Sequence, residues 1–142
     1  MVLFFMVKGE PEGKGRPRFN PYGKGKKPVT PEQTLLYENL IGWEFRSQCN
    51  KSFSEKEPIK MKITAYYSIP SSKSKKEKKL MEENIIRPTK KPDIDNVAKV
   101  YADALNHLAY HDDSQIVSLL CEKYYSYNPR VEVIISSLDE DI

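Results

Sequence analysis

The chain has 142 residues, 39% of them hydrophobic and 30% charged, an ordinary globular balance within the size of one domain. The longest early apolar run, Met1 to Val7, is too short to span a bilayer and lacks the basic start and cleavage site of a secretory signal. Cys49 and Cys121 stand alone without ligand-like spacing, so they read as reduced thiols in a cytoplasmic protein with no membrane attachment.

In chain order, residues 2–8 read as a buried strand. Gly9 to Lys27 is broken by Gly and Pro and has no hydrophobic period. Thr30-Pro31-Glu32-Gln33 is a helix start, with Thr30 placed to cap and Gln33 to complete a capping box. That helix is expected to reach about Gln48, with Leu36, Leu40 and Trp43 on its inner stripe. Ile59 to Ile69 alternates apolar and polar residues and predicts a half-buried strand. Residues 71–92 carry a lysine run closed by Pro88 and Pro92, with a short helical piece near Lys75 to Glu83. A second helix is predicted over about Ile94 to Leu108, because Ile94, Val97, Ala98, Tyr101, Ala102, Leu105 and Leu108 share one face. Two strands follow, 116–126 and 130–138, joined at Tyr127-Asn128-Pro129.

The order β-α-β-α-β-β predicts one α/β (α+β) domain over 1–142, with a mixed sheet of about four to five strands and two main helices packed on it. Loops at about 9–28 and 71–92 are expected to be mobile and basic, and the tail at about 139–142 is acidic.

A net charge of +3 says little, but its distribution says more. Lys14, Arg16, Arg18, Lys24, Lys26 and Lys27 crowd the first irregular stretch, interleaved with Phe19 and Tyr22. Lys73, Lys75, Lys76, Lys90 and Lys91 mark the second. Basic loops suit a polyanion, because each phosphate neutralised releases a counterion, and the aromatics add surfaces on which bases stack. The same lysines also read as solvated loop charge.

The chemistry concentrates in Lys91-Pro92-Asp93-Ile94-Asp95-Asn96-Val97-Ala98-Lys99. Asp93 and Asp95 flank a loop-to-helix junction, and Lys99 lies one turn beyond Asp95. Asp112-Asp113 follows the helix, where the returning chain can bring it beside the first pair. Convergent carboxylates call for a cation, and hard oxygen ligands favour Mg²⁺ or Mn²⁺ over Zn²⁺. The structural alternative stays open: Asp93 also reads as an N-cap, Asp95 as a complement to the helix dipole, and Asp112-Asp113 as a solvent-facing turn. His107 and His111 have zinc-compatible spacing without a third soft ligand.

Three blocks taken together, Asp93-Ile94-Asp95-Asn96 with Lys99, Asp103-Ala104-Leu105, and His111-Asp112-Asp113-Ser114-Gln115-Ile116-Val117, resemble the RusA family of Holliday-junction resolvases. The resemblance covers about residues 92–118. It implies a homodimeric endodeoxyribonuclease, dependent on Mg²⁺ with Mn²⁺ as a substitute, that binds four-way DNA junctions in recombination and repair and nicks two strands symmetrically. It places the catalytic and metal-binding acids at Asp93, Asp95 and Asp113, the catalytic lysine at Lys99, and Asp112 in support. The family's turn has a bulky apolar residue where this chain has His111, which leaves the packing of the turn open. Two rivals stand beside this reading: a less selective branched-DNA or flap nuclease of phage or prophage type, and a non-catalytic DNA-binding module. Tyr124, Tyr125 and Tyr127 with Leu119 and Leu120 make the two C-terminal strands the first place to seek a dimer surface.

Overall fold

The computed structural model describes residues 1–15 and 31–142. Its elements are β1 (Val2–Lys8), α1 (Glu32–Gln48), β2 (Ile59–Ser68), α2 (Lys75–Glu82), α3 (Ile94–Ala104), β3 (Ile116–Ser126) and β4 (Arg130–Ser137). A single 3₁₀ turn, Asp113–Gln115, leads into β3. The class is therefore the expected one: one mixed four-stranded sheet with three helices.

Strand order is β1-β4-β2-β3. β4 runs antiparallel to both β1 and β2, and β3 lies parallel to β2 at the free edge. The last two strands, although consecutive, are thus not partners; β4 inserts between β1 and β2. Residues of like parity line up across the sheet. Leu3, Ile135 and Met61 make one row, Phe5, Val133 and Ile63 the next, and Val7, Val131 and Ala65 a third, all on the buried face. The alternation in β2 is complete, with Ile59, Met61, Ile63, Ala65 and Tyr67 all buried.

α1 and α3 cover that face. Tyr37, Ile41 and Phe45 of α1 and Val97, Val100 and Tyr101 of α3 join the same core. Phe45 meets Phe5 edge-on at 5.5 Å between centroids. The hydroxyls of Tyr37 and Tyr101 share a buried hydrogen bond of 2.7 Å, which satisfies two polar groups that apolar packing would otherwise strand. Burial raises the Tyr37 phenol to about 12, although the Tyr101 hydroxyl works the other way. At the end of α1 the Gln48 amide donates to the Met6 carbonyl (2.8 Å) and accepts from the Met6 N–H (3.0 Å), occupying part of the exposed β1 edge.

Three expectations are corrected. The inner face of α1 is Thr34, Tyr37, Ile41, Gly42 and Phe45, whereas Leu36, Leu40 and Trp43 are exposed. Apolar residues occupy opposite sides of this helix, so periodicity alone offers two stripes and does not choose between them. α1 begins at Glu32, one residue later than the capping motif placed it. Pro31 is the N-cap without a side-chain bond, and the Gln33 amide donates to Glu12 instead; Thr30 lies outside the described residues. α3 ends at Ala104, and His107 adopts a left-handed φ of 65° as the chain turns away. Leu105 still reaches the core from that turn, which is why the apolar period seemed to continue. On the C-terminal strands, Tyr124 stacks on Tyr66 beneath the Arg87 guanidinium and Tyr125 faces the Lys90 ammonium, while Leu119, Leu120 and Tyr127 are exposed. α2 forms as expected, capped by the Ser74 hydroxyl, which accepts from the Glu77 N–H.

Candidate active site

The start of α3 carries the two leading acids. Asp93 occupies the N-cap position but makes no capping hydrogen bond with its side chain, so its carboxylate is left for other partners. Asp95 lies in the first turn, exposed, where the positive end of the helix favours its charge. Asp93 lines an open cleft of about 870 Å³ with Lys91, Asn96, Glu12 and Lys14. The opposite wall is the segment after β1, docked by the Lys14 N–H on the Asn96 carbonyl and by the Gly15 N–H on the Thr34 hydroxyl, each at 3.0 Å. Gly13 has to be glycine there, because a Cβ would stand 2.9 Å from the side chains of both Asn96 and Pro92.

The approach to Asp93 is braced from the sheet. Tyr67 reaches up from β2 and donates 2.6 Å to the Pro92 carbonyl. The Lys123 ammonium on β3 donates 2.7 Å to the Lys90 carbonyl and sits 5.0 Å from the centre of the Tyr67 ring. Arg87 donates to the Lys123 carbonyl at 2.6 Å. Burial pushes the Lys123 pKa below the usual lysine value, and the nearby Asp93 carboxylate opposes that shift. Residues 87–92 are thereby fixed on β2 and β3 immediately before the acids.

Asp113 is presented by a turn in which the adjacent residues do the structural work. The Asp112 carboxylate caps the turn by accepting from the Ser114 N–H at 3.0 Å, and the Ser114 side chain first and this N–H second lower its pKa. Gln115 is buried and fully used. Its oxygen accepts from the His111 and Asp112 N–H groups (2.9 and 3.0 Å), and its amide donates to the Ser54 and Glu57 carbonyls (2.9 Å each). The side chain at position 111 is therefore not what packs this turn; buried Tyr110 and Gln115 are, and His111 lies exposed 3.8 Å from Glu55. Tyr110 donates 2.6 Å to the Ala102 carbonyl, tying the turn to the C-terminal part of α3.

Lys99 leans toward Asp103, at 3.8 Å, with most of its side chain in solvent. Asp103 is held more closely by Lys14 at 3.2 Å, and Lys14 also donates 2.6 Å to Glu38. Burial opposes the Lys14 charge, but the two carboxylates outweigh it and raise its pKa. Among the described residues, Asp93, Asp95 and Asp113 have no hydrogen-bond or ion-pair partner for their carboxylates. Nor, among those residues, does any group of three or more His, Cys, Asp or Glu side chains stand close enough to hold a metal ion, so the expected convergence of Asp113 on Asp93 and Asp95 is not seen.

A family profile for the endodeoxyribonuclease RusA matches residues 8–136, which takes in every element from the end of β1 to β4. The chain belongs to the RusA endodeoxyribonuclease family. An uncharacterized protein of Bacillus subtilis (strain 168), YqaN, is 41% identical over 137 residues, covering 92% of this chain and 93% of that protein. A crossover junction endodeoxyribonuclease, rusA of Lactococcus phage r1t, is 30% identical over 94 residues, 66% of this chain and 65% of the phage protein.

Within this RusA fold the predicted basic residues divide. Lys14 is consumed by Glu38 and Asp103 inside the structure. Lys75, Lys76, Lys90 and Lys91 are exposed, and Lys73 makes only a loose pair with Glu77 at 3.9 Å. Arg16, Arg18, Lys24, Lys26 and Lys27 lie outside the described residues. That Tyr67, Lys123 and Arg87 brace the segment before Asp93 was not legible in the sequence, because their positions depend on the pairing of β2 with β3. Gln115 was legible as part of the motif, but not as its anchor. No helix among the described residues is long and apolar enough to cross a membrane.

Proposed function

We propose that this chain is a Mg²⁺-dependent, homodimeric endodeoxyribonuclease that resolves four-way DNA junctions by paired symmetric nicking. The observation that carries the reading is the unequal use of the acids. Asp112, Asp103 and Glu38 are committed to protein donors, while Asp93, Asp95 and Asp113, the acids the sequence resemblance points to, keep unpartnered carboxylates among the described residues. Carboxylates left without a partner among the described residues are hard oxygen donors of the kind Mg²⁺ takes, with Mn²⁺ as a substitute, although Asp113 would have to approach Asp93 and Asp95 more closely than it does here to share one ion. When bound, such an ion supplies the Lewis acidity that polarises a phosphodiester.

The remaining work falls to the chain's own residues. Lys99, held only by an exposed pair worth little, is free to meet charge developing on the phosphoryl oxygens. Tyr67 and Lys123 hold the loop that aims Asp93. Lys91 beside the cleft and the exposed Lys75, Lys76 and Lys90 offer positive charge to the DNA backbone, together with the basic residues in the sequence 16–27. Two sites related by a two-fold axis match a substrate with two-fold symmetry, so that both cuts occur in one encounter. DNA recombination and repair is the setting where such a substrate arises.

A less selective branched-DNA or flap nuclease differs from this reading in substrate preference. The test is cleavage of a fixed four-way junction against a flap and a linear duplex of the same sequence. The proposal expects paired nicks on the junction and little product from the other two. Comparable cleavage of all three would favour the less selective enzyme.

A further inference from the structure

The histidine pair after α3 has no structural task and no part in the chemistry above. His107 and His111 are both exposed, and their rings meet edge to face at 5.7 Å between centroids. Other residues pack the turn: Tyr110 and Gln115 are buried, and Gln115 spends its oxygen and its amide on backbone groups. The His111 imidazole only approaches Glu55, at 3.8 Å, too far for a hydrogen bond. His107 also holds its left-handed φ of 65°, which glycine adopts freely and histidine does not. A ring kept there at some conformational cost points to a use outside the turn.

Two adjoining hollows run past these rings. One, of about 470 Å³, is lined by Glu55, Pro58, His111, Asp112, Ser114 and Val117. The other, of about 290 Å³, shares Glu55 and His111 and adds His107. Asp112 and Ser114 are the chain neighbours of Asp113, so the groove begins beside one of the acids assigned to the metal. Imidazole faces, with Pro58 and Val117, suit a flat and partly apolar body. The charged groups narrow the choice. Glu55 and Asp112 face the single ammonium of Lys56, and that excess of negative charge turns a phosphate away. Carboxylates accept N–H, which every base offers from an amino or imino group. A metal ion, the other occupant that paired imidazoles suggest, lacks a third ligand: among the described residues no three His, Cys, Asp or Glu side chains stand close enough to hold one.

We propose that the groove of His107, His111 and Glu55 is a subsite for an unstacked nucleobase of the strand being cut, next to the phosphate that Asp113 serves. The imidazoles supply stacking faces, and Glu55 accepts from the edge of the base. A paired base inside a linear duplex cannot enter, whereas a base at a branch point, with a stacking neighbour already lost, can. This rests on the nuclease reading above and adds a contact to the base, where that reading has contacts to metal and phosphate only.

The test maps the wild-type cut on a labelled four-way junction, then replaces each nucleotide flanking it, in turn, by an abasic one. Binding is read by fluorescence anisotropy in chelator, and nicking in Mg²⁺. His111→Ala and His107→Gly remove the rings at exposed positions, and glycine takes a φ of 65° without strain. Each should weaken binding of the intact junction by about tenfold, within the range for one base stacked on an aromatic ring. The abasic lesion at the contacted position should cost wild type about as much. Combined with that lesion, neither variant should lose more, so the two losses do not add. His111→Phe, which keeps a ring, should bind close to wild type. Losses that add in full at both flanking positions, or a His111→Phe variant as weak as His111→Ala, would overturn the subsite and leave the nuclease standing. A wild type that neither binds nor nicks the junction would overturn the nuclease reading, and the subsite with it.

Discussion

The Tyr67 hydroxyl donates a 2.6 Å hydrogen bond to the carbonyl of Pro92, the residue immediately before Asp93. Burial raises the pKa of this phenol, so at neutral pH it is a pure donor to that carbonyl. Tyr67→Phe leaves the carbonyl unsatisfied and should cost about 1–3 kcal/mol of stability in denaturant unfolding. If the bond positions Asp93, the variant should also cut more slowly at saturating DNA while binding it normally. Unchanged turnover with lowered stability would reduce Tyr67 to a core residue.

The two adjacent aspartates of the turn differ in their contacts, and the proposed difference in their roles can be measured. Asp113→Asn should abolish cleavage and retain junction binding, as should Asp93→Asn and Asp95→Asn. Asp112→Ala loses a cap and should cost about 0.5–2 kcal/mol, with cleavage staying within about tenfold of wild type at low temperature. The opposite pattern, with Asp112 indispensable and Asp113 replaceable, would reassign the site.

The lysines divide into three behaviours. Lys14→Met leaves Glu38 without its cation and Asp103 with only the loose Lys99 pair, and should destabilise by about 1–2 kcal/mol, the value for a buried pair discounted for partial exposure. The Lys14 pKa is raised on folding, so its contribution is complete below 10.5 and fades as pH climbs through the raised value. The stability gap between Lys14→Met and wild type should therefore hold at neutral pH and close only in strong alkali. Lys99→Ala should lower the rate at saturating DNA with little change in binding. Replacing Lys24, Lys26 and Lys27 by Ala should weaken binding and flatten its salt dependence by about 0.9 per lost phosphate contact on a log–log plot. If all three behave alike, the division is wrong.

How far the sequence led depended on how local each signal was. Alternation in β2 exposed its buried residues one by one, since a strand's two faces are written directly into its order. The acid motif marked the start of α3 and the turn before β3 in the same way. α1 defeated the method because both of its faces are apolar and only the packed structure says which one the sheet covers. Lys14 could be read as charge but not as a spent charge, because Glu38 and Asp103 come from two different helices. The insertion of β4 between β1 and β2, and the brace that Tyr67 and Lys123 make for Asp93, arise from pairings distant in sequence that leave no local mark.

Four buried phenols give an alkaline signature. Tyr37, Tyr67, Tyr101 and Tyr110 all have pKa values raised chiefly by burial. A phenol raised on folding contributes stability in full below its ordinary value of about 10 and loses it as pH rises toward the folded value. Ultraviolet titration should show these four ionising together in one cooperative step that coincides with loss of helical circular dichroism. Gradual ionisation of all nine tyrosines without unfolding would contradict the packing described.

The central claim is that Asp93, Asp95 and Asp113 hold a divalent cation that the chain needs to hydrolyse DNA. Its most direct test is a labelled four-way junction incubated with wild type and with Asp113→Asn across a Mg²⁺ titration, with a chelator control. The account predicts paired nicks from wild type that appear with Mg²⁺ and vanish with chelator, and none from Asp113→Asn although it still binds the junction. Cleavage that persists in chelator, or that survives the loss of the Asp113 charge, would contradict it.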